Sequence, residues 1–250
     1  MMSKKVDAII QARLGSTRLP KKVLSDLNGQ RLLDYVLDRL RASKYINRII
    51  IATTDDITDS ELVNYCRQEK ILYYCGDTHN ILSRFIATCD AYNCDKILRV
   101  CSDNPFIDSE AMDFQIRTFL SEEELDYCTY VTGAGQPVIL TSLGLFVEAT
   151  TAKALKKVAK LASAQKHYEH VTMFMYEHPE YFRINRIYLD KNIDAHYRFT
   201  VDYPQDIEFC TKIMNLTQDY SMKSLLTLMS TYRDLGKQNL DFSKSHLKSY

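Results

Sequence analysis

The chain has 250 residues, of which 46% are hydrophobic and 26% are charged, a composition typical of a globular protein with one large domain. Its 32 basic and 32 acidic residues cancel, so an anion must be bound by a local cluster of cations, and nucleic acid is not an expected partner. No stretch approaches the roughly 18 apolar residues of a membrane span, and the seven cysteines form neither a CxxC pair nor a disulfide framework. We therefore expect a soluble, cytoplasmic protein with reduced thiols and no membrane partner.

Short apolar runs alternate with helical patterns over the first half of the chain. The predicted strands are 6–11, 48–53, 71–75, 96–101 and 125–131. Helical patterns cover 32–43, 58–69 and 80–92, and the second of these begins with Thr58 or Asp59 as its N-cap. Because the strands are apolar almost throughout, they predict a mostly parallel sheet with helices on both faces.

The regular alternation ends near residue 131. The glycine-containing stretch that follows predicts a loop, and after it come helices at 151–164 and 168–179, strands at 181–189 and 197–201, and a helix from 204. We interpret 132–196 as an excursion within a single domain of residues 1–235, and 236–250 as a polar, loosely held C-terminal tail. The apolar helix "VTMFMY" (171–176) would expose hydrophobic surface in a monomer, which favours a homodimer.

A basic turn follows the first predicted strand. The stretch "IIQARLGSTRLPKKVL" (9–24) crowds Arg13, Arg18, Lys21 and Lys22 into a few residues. Arginine forks and a lysine on a tight turn suit a triphosphate, because charge-assisted hydrogen bonds to phosphate are strong. The stretch is neither a Walker loop nor a dinucleotide fingerprint, and on residue type alone solvated surface charges are the simpler explanation.

Two aspartates also stand at the ends of predicted strands. Asp103 in "RVCSDNPFID" could hold Mg²⁺ or form an Asx-turn before Pro105. Asp202 in "RFTVDYPQDIEFC" could hold the same ion, or it or Asp206 could cap the helix that begins at Pro204. A metal shared by two carboxylates beside a triphosphate needs both acids. The three signals together therefore favour a nucleotide site at one sheet edge.

The motifs in combination resemble a known family. "IIQARLGSTRLPKKVL", "IIIATTDD", "GDTHNILSRF", "LRVCSDNPFID", "YEHVT" and "FTVDYPQD" are similar to the cytidylyltransferases of the spore-coat polysaccharide F type over about residues 6–210. More distantly, the chain resembles the cytidylyltransferases that activate Kdo and sialic acids. The resemblance implies a three-layer α/β/α nucleotidyltransferase fold of the glycosyltransferase A-like, Rossmann-like type. It also implies an enzyme that joins CMP from CTP to a small anionic acceptor, a nonulosonic-type sugar acid for surface polysaccharide, with Mg²⁺ and release of pyrophosphate.

The family's motif positions imply roles for particular residues of this chain. The nucleotide-binding residues would be Ala12, Arg13, Ser16, Arg18, Lys22, Arg84 and Ser102. The catalytic residues would be Arg13, Lys22, Asp103 and Asp202, and the two aspartates would hold the metal. The acceptor-binding residues would be Glu148, Glu169 and His170, although a packing role suits His170 equally well.

Two segments depart from the family's pattern. "SLGLFVE" (142–148) and "YEHVT" (168–172) place Leu143, Phe146 and Tyr168 where many relatives have two acids and an arginine, which puts the acceptor and the level of activity in doubt. Two alternatives therefore stay open. One is a nucleotide-sugar-dependent glycosyltransferase, against which the single acid in "SDNP" argues, and the other is a non-catalytic dimeric relative.

Overall fold

The computed structural model of the chain describes residues 5–193 and 195–246. Its strands are β1 (Val6–Gln11), β2 (Asp26–Leu27), β3 (Gln30–Arg31), β4 (Ile46–Thr54), β5 (Leu72–Gly76), β6 (Lys96–Cys101), β7 (Tyr127–Val131), β8 (Glu148–Thr151) and β9 (Ile184–Tyr188). Its α-helices are α1 (Leu32–Arg41), α2 (Ser60–Gln68), α3 (Ile81–Tyr92), α4 (Ser109–Ser121), α5 (Ala152–Leu161), α6 (Gln165–Glu169), α7 (Met173–Glu177), α8 (Pro204–Leu216), α9 (Met222–Thr231) and α10 (Arg233–Ser245). Within these residues no helix combines the length and the apolar character needed to cross a membrane.

One seven-stranded sheet organises the fold, in the order β5-β4-β1-β6-β8-β7-β9. Strand β1 pairs in parallel with β4 and β6, and β4 pairs in parallel with β5. Strand β8 runs antiparallel to β6 and β7, whereas β7 and β9 are parallel. The mostly parallel sheet is as predicted. The carboxyl ends of β1, β4 and β6 therefore meet at one edge, which is where ligands bind in open α/β sheets.

Helices cover both faces of the sheet. Successive residues of a strand point to opposite faces, so Ile10 of β1 packs in one core cluster and Ile9 in another. Helices α1, α2 and α4 contribute to the first cluster, and α3, α5 and α7 contribute to the second. The predicted three-layer α/β/α architecture is confirmed.

The segment 197–201 is buried except for the half-buried Tyr197, but it is not the strand that the sequence predicts. Its backbone bonds to loops: the Phe199 N–H donates to the Ser142 carbonyl (3.0 Å), and the Val201 N–H donates to the Asp103 carbonyl (2.9 Å). Together with α8 and α9, Phe199 and Val201 form a third apolar cluster beside the sheet. The segment thus connects the loop after β6 to the loop before β8.

The C-terminal segment is also different from the prediction. Instead of a loosely held tail, it forms α10, and the amide of Asn239 bonds to the backbone of Arg198 through both its oxygen (2.9 Å) and its nitrogen (2.7 Å). Gly236 lets α10 approach α9, because a Cβ there would lie 2.5 Å from the Met229 carbonyl oxygen. Residues 247–250 of the predicted tail lie outside the described residues.

The predicted excursion, 132–196, is part of the sheet rather than an appendage, apart from residue 194, which is not described. It supplies β8, β9 and the helices α5, α6 and α7. The side chains of Val171, Met173, Phe174 and Met175 are buried within the chain itself. The argument for a homodimer from exposed apolar surface on this helix is therefore wrong, and the homodimer stays a prediction without that support.

Candidate active site

The basic turn leaves the carboxyl end of β1 and is anchored by Asp59. The Asp59 carboxylate is buried and accepts hydrogen bonds from the Leu14 backbone N–H (2.7 Å) and from Thr53 Oγ1 at the end of β4 (2.9 Å). Asp59 stands at the predicted N-cap position of α2, but its side chain makes no capping bond. It ties the turn to the neighbouring strand instead, a role that no spacing in the sequence indicates.

The left-handed backbone conformation of Lys21 accompanies a difference in surroundings between Lys21, which is at the surface, and Lys22, which is largely buried. The Leu14 carbonyl accepts hydrogen bonds from the N–H groups of Ser16 (2.9 Å) and Lys21 (3.0 Å), and Lys21 has a φ of 56°. This left-handed conformation is uncommon for a residue other than glycine. Lys21 pairs with Glu61 at the surface (2.5 Å), whereas only 13% of the Lys22 side chain is exposed.

A cavity of about 260 Å³, here called the cradle, lies between the basic turn and the end of β6. Its lining includes all seven residues predicted to bind the nucleotide: Ala12, Arg13, Ser16, Arg18, Lys22, Arg84 and Ser102. The Arg84 guanidinium donates from Nη1 to the Asp77 carbonyl (3.1 Å), and its buried Nε has no partner among the described residues. Burial lowers the pKa of Arg84, and the nearby Arg13 lowers it further. The neighbouring positive charges of Arg13 and Arg84 favour an anion in the cradle.

Both predicted metal-binding aspartates converge beside the cradle, on the ammonium group of Lys22. Lys22 Nζ donates to Asp103 Oδ2 (2.9 Å), Asp202 Oδ1 (3.0 Å) and the Val201 carbonyl (3.2 Å). Burial alone would lower the pKa of Lys22, but the two carboxylates outweigh it and raise this pKa above its ordinary value. Residues about one hundred positions apart in the chain therefore share one cation.

Asp202 is held from behind by a buried ion pair. Arg198 donates from Nη2 to Asp202 Oδ2 (2.9 Å) and from Nε to Asp206 Oδ1 (2.7 Å), and its side chain is 1% exposed. Asp206 Oδ2 accepts from the Asp202 N–H (2.8 Å) and the Tyr203 N–H (2.9 Å), so Asp206 caps α8 and Asp202 does not. Arg198 was not predicted from the sequence. Its position four residues before Asp202 and eight before Asp206 is the signal that could have identified it.

A second cavity of about 410 Å³, here called the outer pocket, lies on the other side of Lys22. Six residues line both cavities and so form the boundary between them: Gln11, Arg18, Lys22, Cys101, Asp103 and His170. One wall of the outer pocket is apolar and is formed by Val138, Ile139, Leu140, Phe146 and Val147. Polar groups from Gln11, Asn104, Thr141, Thr172, Tyr176, Thr200 and Tyr203 surround the rest. The two cavities together can hold two substrates whose reacting atoms meet beside Lys22.

Glu148, predicted to bind the acceptor, lies at the floor of the outer pocket and is 1% exposed. Its carboxylate accepts hydrogen bonds from Arg99 and from the hydroxyl of Tyr127, and Thr172 Oγ1 lies 2.9 Å from both of its oxygens. Burial raises the pKa of Tyr127, and the Glu148 charge raises it further, so this phenol stays protonated as a donor. With these partners, Glu148 shapes the floor of the pocket.

The other two residues predicted to bind the acceptor lie in different places. His170 follows α6 and stands at the boundary of the two cavities, where it can reach either substrate. Glu169 is exposed and lines the cradle, and it is not among the described residues that line the outer pocket. Glu169 thus lies at the cradle rather than at the outer pocket, and its role in binding the acceptor stays a prediction.

The donor set at the boundary fits a magnesium ion. Mg²⁺ prefers oxygen ligands and takes only a few of them from protein, with water and phosphate supplying the rest. Asp103 Oδ2 and Asp202 Oδ1 already point at one cationic group, Lys22 Nζ, and the Asp103 side chain is 20% exposed toward the cavities. Asp103 and Asp202 are thus the residues that could hold such an ion.

The fold and the site define a class of protein. A mostly parallel α/β sheet with a cationic cradle, and with paired carboxylates at its carboxyl edge, is the arrangement of a nucleotidyltransferase. The sequence matches the cytidylyltransferase family over residues 8–244, so the chain belongs to that family. This confirms the resemblance that its motifs indicate.

Individual relatives agree with this assignment. The chain is 32% identical over 239 residues to the spore coat polysaccharide biosynthesis protein SpsF of Bacillus subtilis (strain 168), an alignment that covers 92% of this chain and 96% of that protein. It is 27% identical over 128 residues to the 3-deoxy-manno-octulosonate cytidylyltransferase of Bdellovibrio bacteriovorus, which covers 50% of each. A cytidylyltransferase structure from Leptospira borgpetersenii superposes with a TM-score of 0.83 at 24% identity, over 93% of this chain and 96% of that one. The likeness to that structure shows the shared fold.

Proposed function

We propose that this protein transfers CMP from CTP to a small anionic sugar-type acceptor and releases pyrophosphate. The observation that carries the proposal is the boundary itself: Lys22, Asp103 and His170 line both a cationic cradle and a second pocket large enough for a sugar. Membership of the cytidylyltransferase family supports CTP as the nucleotide. The relative named for spore coat polysaccharide biosynthesis supports a product used in surface polysaccharide.

In this proposal the cradle binds the triphosphate. Arg13, Ser16 and Arg18 hold its oxygens, and Lys22 neutralises charge that shifts toward the leaving pyrophosphate. An acceptor hydroxyl attacks the α-phosphorus in line and gives up its proton to solvent, and the new P–O bond forms as the bond to pyrophosphate breaks. The reaction needs no covalent enzyme intermediate. Most of the rate enhancement therefore comes from holding both substrates in adjoining cavities with their reacting atoms aligned.

Asp103 and Asp202 would hold a magnesium ion, which would supply Lewis-acid stabilisation of the phosphate charge. The protein's own contribution here is orientation. Arg198 fixes one oxygen of Asp202, while the Val201 N–H bonds to the Asp103 carbonyl and so ties the two acidic loops together (2.9 Å). Each carboxylate is thereby held toward the boundary.

The outer pocket is proposed to bind the acceptor, with His170 at its inner end. The three residues that depart from the family's pattern are Leu143, Phe146 and Tyr168, and one of them, Phe146, lines this pocket. Phe146 lines its apolar wall and packs on Tyr130 (ring centroids 4.4 Å apart), whereas Leu143 is buried behind that wall. Tyr168 donates its hydroxyl to the Ala162 carbonyl (2.6 Å) and takes a packing role. We therefore propose an acceptor that presents an apolar substituent to this wall.

The test is release of pyrophosphate from CTP with Mg²⁺ over a panel of sugar acids, with 3-deoxy-manno-octulosonate and N-acetylneuraminic acid among them. We expect release that depends on one acceptor, and loss of at least about a hundredfold in kcat for Asp103→Asn, with circular dichroism used to verify that the variant is folded. Binding of CTP without release for any acceptor would support the non-catalytic alternative. Transfer from a nucleotide sugar would support the glycosyltransferase.

A further inference from the structure

Lys22 occupies the point at which Asp103 and Asp202 can share a cation. Its ammonium donates to one oxygen of each carboxylate and to the Val201 carbonyl, so all three of its N–H groups have partners. We propose that Lys22 keeps divalent cations off the two carboxylates until a triphosphate binds, so that nucleotide and metal enter together. This inference rests on the proposed function for the identity of the two ligands.

The first step concerns a divalent cation that arrives alone. To bind both carboxylates it must displace the Lys22 ammonium, which would then lose both of its anionic partners while remaining largely buried. Asp202 Oδ1 also accepts from Arg18 Nη2 (2.8 Å), so this oxygen already faces two cationic groups. A third positive charge beside them is strongly disfavoured. The nucleotide-free protein should therefore bind divalent cations weakly.

The second step concerns the triphosphate. Lys22 lines the cradle as well as the outer pocket, and its ammonium sits on a flexible four-carbon stem. Its ammonium can therefore exchange carboxylate oxygens for phosphate oxygens while the anchored turn stays in place. The incoming phosphate charge compensates the lysine, and the incoming metal charge compensates the carboxylates. Each ligand should therefore raise the affinity for the other by the same factor.

The third step concerns what does not move. Arg198 holds Asp202 Oδ2 (2.9 Å) and is itself held by both oxygens of Asp206, with its side chain 1% exposed. Departure of Lys22 therefore leaves Asp202 in a fixed orientation, with its Oδ1 still accepting from Arg18 Nη2 (2.8 Å). Arg18 also lines the cradle, so both cationic side chains can move from Asp202 to phosphate.

The experiment is a titration of the nucleotide-free protein with Mn²⁺, followed by the electron paramagnetic resonance signal of the free ion. We expect Lys22→Met to bind one Mn²⁺ at least about tenfold more tightly than wild type. Lys21→Met is the matched control, because Lys21 pairs with Glu61 at the surface, and it should behave as wild type. The double variant Lys22→Met/Asp103→Asn should lose the gain. Lys22→Gln, which keeps a polar group at the position, serves if Lys22→Met does not fold.

Two results would overturn the proposal: wild type that binds Mn²⁺ without nucleotide as tightly as the Lys22 variants, or a gain that survives Asp103→Asn. The titration contains no nucleotide, so it is independent of whether CTP is the substrate. Calorimetric titration of wild type with CTP and Mg²⁺ tests that point separately. If CTP fails to bind while the Mn²⁺ results are as expected, the proposed function fails and exclusion of the cation by Lys22 stands.

Discussion

Replacement of Asp59 by asparagine tests how the basic turn is held. The substitution keeps the shape of the side chain but removes its charge and turns one acceptor oxygen into a donor. The two oxygens of Asp59 accept from Leu14 N–H (2.7 Å), Thr53 Oγ1 (2.9 Å) and Thr54 N–H (3.1 Å), so at least one buried donor loses its partner. One unsatisfied buried donor and one lost charge-assisted bond together cost about 3 kcal/mol of the free energy of unfolding.

Urea denaturation measures this loss, and calorimetry with CTP measures its consequence for the cradle. We expect weaker CTP binding as well, because the Leu14 backbone that Asp59 anchors lies between cradle residues Arg13 and Gly15. Asp56→Asn is the matched control, since the Asp56 carboxylate caps an exposed turn through the Thr58 N–H (2.8 Å) and does not line the cradle. If Asp59→Asn has the same urea midpoint and the same CTP affinity as Asp56→Asn, Asp59 does not anchor the turn.

Two further predictions concern stability. Gly236→Ala should lower the free energy of unfolding by about 2 kcal/mol in urea denaturation, because its Cβ would lie 2.5 Å from a backbone oxygen, that of Met229; an unchanged midpoint would show that α10 is not packed as described. Burial raises the pKa of Asp7, but hydrogen bonds from Arg48 (2.7 and 2.9 Å) and Asn47 outweigh it and hold this pKa below its ordinary value. That stabilisation is complete above the unfolded-state pKa of about 3.9 and is lost as the pH falls through the lower folded-state pKa. Asp7→Asn should therefore flatten the acid limb of the stability curve, and an unchanged limb would contradict the assignment.

The sheet was predictable because its strands carry a strong local signal. Strands β1 and β6 are apolar runs buried on both faces, and their alternation with helical patterns is sufficient to indicate a parallel α/β sheet. The segment 197–201 has the same apolar character, but its backbone partners are the loops at Ser142 and Asp103. Whether a buried extended segment joins the sheet depends on distant backbone groups, which local hydropathy does not report.

Helix α10 escaped prediction for a different reason. The residues that it fully buries are Gly236, Asn239 and Ser243, whereas its apolar Leu235 is only partly buried against the third cluster. The paired hydrogen bonds of Asn239 with Arg198 add to this packing. Hydrophobic periodicity does not detect a helix of this kind.

In the site, residues brought together by strand ends were predictable and residues that hold them were not. All seven predicted nucleotide-binding residues line one cradle, and Asp103 and Asp202 meet on Lys22. Their roles in binding and catalysis stay predictions. Glu148, by contrast, already has buried hydrogen-bond partners on both carboxylate oxygens. The sequence could not indicate this, because a strand residue at a pocket floor has the same pattern around it as one that contacts a ligand.

Anomalous diffraction from a crystal grown with CTP and Mn²⁺ locates the metal relative to the two aspartates. We expect one manganese peak within coordination distance of both Asp103 and Asp202, with the triphosphate against Arg13 and Arg18 and the Lys22 ammonium moved onto phosphate. Manganese bound away from either carboxylate, or a nucleotide seated outside the cradle, would contradict this expectation.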